Sequence, residues 1–170
     1  NGVLFMKYKA FIGIGSNLGF PAENCEKAIG LLHASPNIEV VNRSNLYESE
    51  PVGKIKQNWF VNGTVAIKTS LNPEALLNEL LKIEKALGRE RKEKWGPRII
   101  DLDLLAFGNR VIDSASLTLP HPEMLKRRFV LLPLSEFAGD YMHPVENKSI
   151  HDLLSKLPDS PQVRKVSPTS

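Results

Sequence analysis

Two acids inside an apolar run constrain this chain more than any other feature: Ile99, Ile100, Asp101, Leu102, Asp103, Leu104 and Leu105 follow directly on Trp95, Gly96, Pro97 and Arg98. If the run is a strand, its side chains alternate, so Ile100, Leu102 and Leu104 point to one face and Asp101 and Asp103 to the other. The two carboxylates then sit ~7 Å apart along the backbone. Like charges at that separation repel unless a cation lies between them, and hard oxygen ligands suit Mg²⁺, which binds one or two carboxylates together with phosphates. The segment therefore points to metal-assisted phosphate chemistry on one face of a sheet.

A chain of 170 residues builds one well-buried core, so one domain is expected. A hydrophobic share of 42% and a charged share of 24% belong to a globular protein and leave out disordered and collagen-like classes. No apolar run approaches the ~20 residues of a membrane span, and the opening residues lack the pattern of a secretory signal. Cys25 is the sole cysteine, so no internal disulfide forms; a cytoplasmic location is expected, with Cys25 packed in a helix as a small apolar residue. The net charge of +3 is modest, but Arg89, Arg91, Lys92 and Lys94 crowd together, and Lys126, Arg127 and Arg128 are consecutive. Basic runs are commonly solvated loops; beside two metal-ligand candidates they read as phosphate contacts.

Lys9 to Ile14 reads as a first strand, broken by the turn residues Gly13-Ile14-Gly15-Ser16-Asn17-Leu18-Gly19. A helix follows, with Cys25, Ala28, Ile29 and Leu32 at helical spacing and Ser35-Pro36-Asn37 closing it. Ile38 to Tyr47 and Phe60 to Thr69 are strand candidates. Asn72-Pro73-Glu74 combines a cap, a first-turn proline and a first-turn acid, predicting a helix to about Leu87 with Gly88 as its stop. The expected apolar stripe is Leu77, Leu80, Leu81 and Leu87, with Glu84 on it; that carboxylate either pairs with an arginine or faces a polar ligand. A turn at Phe107-Gly108-Asn109-Arg110 leads to a short strand, and a last amphipathic helix spans Ile150 to Leu157. The domain is expected over 8–158, with 1–7 and the proline-containing 159–170 as flexible ends or linkers. Short strands, hairpin signals and two good helices fit an α+β domain with a mainly antiparallel sheet.

The chain has no G-x-x-x-x-G-K-[ST] loop, and Leu18 stands where a dinucleotide fingerprint has its third glycine. Kinase signatures, hydrolytic triads and zinc spacings are absent too. What remains is a carboxylate pair with bases nearby, the requirement of phosphoryl transfer by positioning and charge stabilisation. A non-catalytic nucleic-acid-binding domain is the competing class; the acid pair would repel a phosphate backbone, and the RNP pattern is missing.

These residues resemble the 6-hydroxymethyl-7,8-dihydropterin pyrophosphokinase family of folate biosynthesis. The ordered series is Gly15-Ser16-Asn17-Leu18-Gly19, Glu50-Pro51-Val52-Gly53, Phe60-Val61-Asn62, Gly88-Arg89-x-Arg91, Trp95-Gly96-Pro97-Arg98, Asp101-Leu102-Asp103, Pro120-His121-Pro122 and Arg127-Arg128-Phe129-Val130-Leu131. The resemblance implies a ferredoxin-like three-layer αβα sandwich that moves the terminal diphosphate of ATP to the pterin hydroxymethyl group and releases AMP. It implies two Mg²⁺ ions on Asp101 and Asp103, and ATP contacts from Glu84, Arg91, Trp95, Arg98, Leu104, Thr118, His121 and Arg127. Arg98 and Arg127 would stabilise transition-state charge. Ser49, Val52 and Asn62 would read the pterin edge, and Phe60 and Phe129 would sandwich its ring. The residues alone also permit Trp95 and both phenylalanines as ordinary core, and His121 as the brace of a turn. Segments 51–57 and 89–94 are expected to act as lids. The partners expected are these small molecules, not nucleic acid or a membrane, with fusion to or association with other folate-pathway enzymes as a further expectation.

Overall fold

The computed structural model describes residues 6–51, 56–88, 98–159 and 162–166. Its strands are β1 (Tyr8–Ser16), β2 (Ile38–Arg43), β3 (Tyr47–Ser49), β4 (Phe60–Thr69), β5 (Asp101–Phe107), β6 (Ile112–Asp113), β7 (Thr118–Leu119) and β8 (Val163–Lys165). Its helices are α1 (Pro21–Ala34), α2 (Pro73–Ala86), α3 (Arg128–Ala138) and α4 (Ile150–Ser155). The main sheet runs β5-β1-β4-β3-β8, with β2 also paired to β4, and every pairing in it is antiparallel. Helices α1 and α2 cover one face through Cys25, Ala28, Ile29, Leu32, Leu76, Leu80 and Ile83. Helices α3 and α4 cover the other through Val130, Leu131, Leu134 and Ile150, so the domain is the expected α+β three-layer sandwich.

Local chemistry explains where the helices start and stop. The Asn72 side chain accepts from the Ala75 N–H (2.9 Å), a cap that stabilises α2 by about 1 kcal/mol. Gly88, at φ +88°, takes the left-handed conformation that ends it. The expected α2 stripe is displaced by one residue. Leu76, Leu80, Ile83 and Glu84 are buried, whereas Leu81 is exposed and Leu77 packs only at the core's margin. In α1 the four apolar positions expected from spacing are those buried, and burial pushes the Cys25 thiol up to about 12, making it a packing group.

Strand β5 carries out the division of faces read from its sequence. Ile100, Leu102 and Leu104 lie in the α1/α2 core, while Asp101 and Asp103 are only half-buried. Its pairing with β1 slips by one residue between Ile12↔Leu104 and Phe11↔Ala106. The extra residue, Leu105, packs under α3, and Phe107 returns to the α1/α2 core beside Tyr8, so the bulge serves both layers.

One expectation is met and one is corrected in part. The short strand after the turn at Gly108 is β6, which pairs with β7 and forms a separate two-stranded ribbon. The 159–170 tail is not wholly a flexible end, because Val163–Lys165 form β8 along the edge of β3. There Arg164 bonds Glu48 (2.9 Å) and stacks over Trp59, 4.5 Å from the ring centre, and Gln162 and Glu50 exchange hydrogen bonds. The edge of β3 supplies the ladder that one valine and two basic residues could not announce in sequence.

Candidate active site

Strand β1 lies between β4 and β5, and its last turns carry two glycines. Gly15 pairs with Asn62 on one side and Asp101 on the other, and Gly13 pairs with Asp103. Directly opposed residues of antiparallel strands share a face. Asn62, Gly15 and Asp101 thus form one row, with the asparagine and the acid separated by two strand spacings, about 10 Å. A Cβ built on Gly15 would stand 2.9 Å from Asn62 Nδ2, so the amide occupies the room that glycine leaves.

On the β4 side, the Ser49 hydroxyl donates to Asn62 Oδ1 at 2.5 Å, and both residues are buried. Phe60 lies two positions before Asn62 on the same face and is half-buried, as is Phe129 in the first turn of α3. Four residues expected at the pterin, Ser49, Phe60, Asn62 and Phe129, are therefore placed by β3, β4 and the helix above them. Val52 lies outside the described residues.

On the β5 side, a cavity of about 270 Å³ is lined by Leu77, Leu81 and Glu84 of α2, by Asp101 to Leu104, and by Thr118, His121 and Pro122. Strand β5 is the edge of the sheet, and Glu84 Oε2 accepts from its Leu102 N–H (2.8 Å). The carboxylate thus bonds an edge amide and borders the cavity. His121 Nδ1 accepts from the Glu123 N–H (3.1 Å), which leaves the ring proton on Nε2. Burial, then the Arg127 charge, hold His121 below the usual histidine range, partly opposed by Glu123 and Asp101, so it is a neutral donor near pH 7. Arg127 Nη1 stands 3.9 Å from Asp103 Oδ2, and its guanidinium lies 5.6 Å from the Phe129 ring centre, linking the acid side to the aromatic side.

Glu84, Asp101, Asp103, Leu104, Thr118 and His121 thus converge on one cavity, with Arg127 at its margin. Arg98 enters β5 from the end nearest Asn17. Arg91 and Trp95, and the greater part of both expected lids, lie outside the described residues. Sequence reading missed Leu77 and Leu81 as cavity wall, since a stripe of leucines reads as core. It also missed the part taken by Asn17, a polar residue at the end of an apolar strand that is 1% exposed.

Among the described residues no three His, Cys, Asp or Glu side chains cluster as a metal site. A two-carboxylate donor set fits Mg²⁺, which takes its other ligands from water and phosphate. Residues 11–139 match the family model described as 7,8-dihydro-6-hydroxymethylpterin-pyrophosphokinase. The chain belongs to this family. It is 43% identical over 152 residues to the 2-amino-4-hydroxy-6-hydroxymethyldihydropteridine pyrophosphokinase of Methylorubrum extorquens, covering 89% of this chain and 95% of that one. The enzyme of the same name from Bacillus subtilis is 46% identical over 127 residues, 75% of this chain and 76% of that one. In fold it is similar to Plasmodium falciparum HPPK-DHPS crystallised with pteroate, at a TM-score of 0.71 and 19% identity; the match covers 88% of this chain and 43% of that longer one. This family member is a pyrophosphokinase, and its reaction is pyrophosphoryl transfer to a hydroxymethyldihydropterin in folate biosynthesis.

Proposed function

We propose that the pyrophosphokinase takes its diphosphate from ATP in a Mg²⁺-dependent reaction centred on Asp101 and Asp103, with the pterin bound against Ser49, Phe60, Asn62 and Phe129. The observation that carries this reading is the row Asn62–Gly15–Asp101, which sets a buried amide and a half-exposed acid on one face about two strand spacings apart. AMP as the second product fixes the atoms. The pterin hydroxymethyl oxygen bonds to the β-phosphorus, the bond from that phosphorus to the α,β-bridging oxygen breaks, and the bridging oxygen leaves with AMP. The hydroxyl proton is lost to solvent.

The protein's own share is positioning and charge. Asp101 and Asp103 would hold two Mg²⁺ ions, which neutralise phosphate charge when bound. Arg127, between Asp103 and Phe129, would meet charge developing on the transferred group, and Arg98 would be its counterpart at the entry to β5. Neutral His121 offers its Nε2–H to an ATP oxygen. Glu84, Leu104 and Thr118 border the nucleotide's place, and Leu77 and Leu81 give it an apolar wall. Arg91, Trp95 and Val52 are assigned to the same two ligands, and segments 51–57 and 89–94 to their closure. The working unit is proposed to span 8–158, with Val163–Lys165 fastening the β3 edge. Association with other folate-pathway enzymes is proposed as well, on the example of the longer Plasmodium protein.

Incubation with ATP, Mg²⁺ and 6-hydroxymethyl-7,8-dihydropterin is expected to yield AMP only when all three are present. ADP as the product, or turnover undiminished by a chelator, would refute the proposal.

A further inference from the structure

The ladders that join β1 to its neighbours stop at the mouth of the site. Pairing with β4 ends at Ser16↔Val61 and pairing with β5 at Gly15↔Asp101. Beyond those ends, Asn17 continues the connection. Its Nδ2 donates to Gln57 Oε1 (2.8 Å) and to the Asn58 carbonyl (3.1 Å). Its Oδ1 accepts from the Arg98 N–H (2.8 Å), and its own N–H donates to the Arg98 carbonyl (2.9 Å). A backbone N–H only donates and a carbonyl only accepts, so the orientation of this amide is fixed from both ends. The orientation of Gln57 follows from it.

The segments held in this way are those that enter the two halves of the site. Asn58 precedes Phe60 by two residues, and Arg98 precedes Asp101 by three. One carboxamide thus spans the chain leading to the pterin-side strand and the chain leading to the acid strand. In-line transfer depends on the separation between acceptor oxygen and phosphorus, and a displacement of ~1 Å costs about a hundredfold in rate.

We propose that Asn17 is a positioning residue for the transfer: through the backbones of Asn58 and Arg98 it sets the spacing between the pterin-side strand and the acid strand. The proposal rests on the reaction proposed above. It separates Asn17 from a merely structural buried amide, because spacing affects the rate from the ternary complex more than the affinity for either substrate alone.

The test compares the wild type with Asn17→Ala, Asn17→Asp and Gln57→Ala, measuring kcat by AMP formation, the dissociation constants of a non-hydrolysable ATP analogue and of the pterin separately, and thermal unfolding. Asn17→Ala removes every side-chain link, and kcat is expected to fall about a hundredfold while each dissociation constant stays within about threefold. Asn17→Asp keeps the acceptor for the Arg98 N–H, and Gln57 can turn its amide over to donate to it; only the Asn58 carbonyl loses its donor. That variant is expected to recover kcat to within about tenfold of the wild type. Gln57→Ala loses one of three side-chain links and is expected to lose about threefold in kcat. Should Asn17→Ala not fold, the ordering of the other two carries the test. Unchanged kcat in the folded variants, or dissociation constants that rise in step with the loss of kcat, would overturn the proposal. A wild type that forms no AMP fails on the reaction itself, a result distinct from a wild type that turns over alongside equally active variants.

Discussion

The two strands that flank β1 at the site are built on different terms. On the β4 side the polar groups are buried and already matched, Ser49 to Asn62 at 2.5 Å, in a strand bonded to neighbours on both edges. On the β5 side the strand is the rim of the sheet, and its acids stay half-exposed, with the Arg127 guanidinium 3.9 Å from Asp103. A matched, buried amide specifies a neutral heterocycle through fixed donors and acceptors. A pair of like charges at an open edge gains most when a cation and phosphates arrive. We therefore propose recognition in the middle of the sheet and charge chemistry at its rim, where Glu84 accepts from the Leu102 N–H.

If this division holds, the largest effect belongs to the rim. Asp101→Ala and Asp103→Ala are each expected to lower AMP formation by about 10²–10³-fold or more, because each removes a proposed metal ligand that would support several kcal/mol of transition-state stabilisation. Circular dichroism and the melting temperature should hold near wild-type values, since neither side chain lies in the core. Turnover within tenfold of the wild type in either variant would erase the proposed distinction between the two sides.

A smaller effect is expected from the middle of the sheet. Gly15→Ala brings a methyl group to 2.9 Å from Asn62 Nδ2 and must displace an amide that Ser49 holds from its other end. Loss of one well-placed hydrogen bond corresponds to about 1–1.5 kcal/mol, so pterin affinity should fall about tenfold, with nucleotide affinity unchanged. Isothermal titration with each ligand alone tests the separation. Equal weakening of both would mean that Gly15 supports the whole β1 end and not Asn62 in particular.

The contrast also explains what could be read from sequence. The acid strand was legible because alternation is a local property of Ile100 to Leu104, and α2 was legible because Asn72, Pro73 and Gly88 act within one turn of its ends. That β5 lies at the rim depends on which strands pair across the chain, which no window of residues contains. The α2 stripe was misjudged by one position because Leu76, Leu77, Leu80, Leu81 and Ile83 offer two overlapping apolar faces; the sheet buries one, and the other lines the cavity. Strand β8 was missed because Val163, Arg164 and Lys165 are too few and too polar to show a period, and only the open edge of β3 makes them a strand. Asn17 was legible as part of a turn motif, while its partners at Gln57, Asn58 and Arg98 were not, being 40, 41 and 81 residues away.

The smallest expected effect separates two histidines with the same local chemistry, one at the rim and one away from it. His121 and His143 each precede a proline, and each turns Nδ1 toward backbone N–H groups, that of Glu123 in one case and those of Val145 and Glu146 in the other. His121 borders the cavity; His143 is 2% exposed, and its Nε2 is buried with no hydrogen-bond partner among the described residues. Burial holds His143 below the usual histidine range, only partly opposed by Glu146. In the unfolded chain it takes up a proton as pH falls below about 6.5, while in the fold Nδ1 stays committed as an acceptor. Its contribution to stability is thus complete above about pH 6.5 and is lost as pH falls toward the depressed folded value. His143→Asn keeps an acceptor for Val145 and Glu146 and removes the titration, so the decline of melting temperature between pH 7.5 and 5 should be shallower than in the wild type. Identical slopes would show that the acid sensitivity of the fold comes from elsewhere.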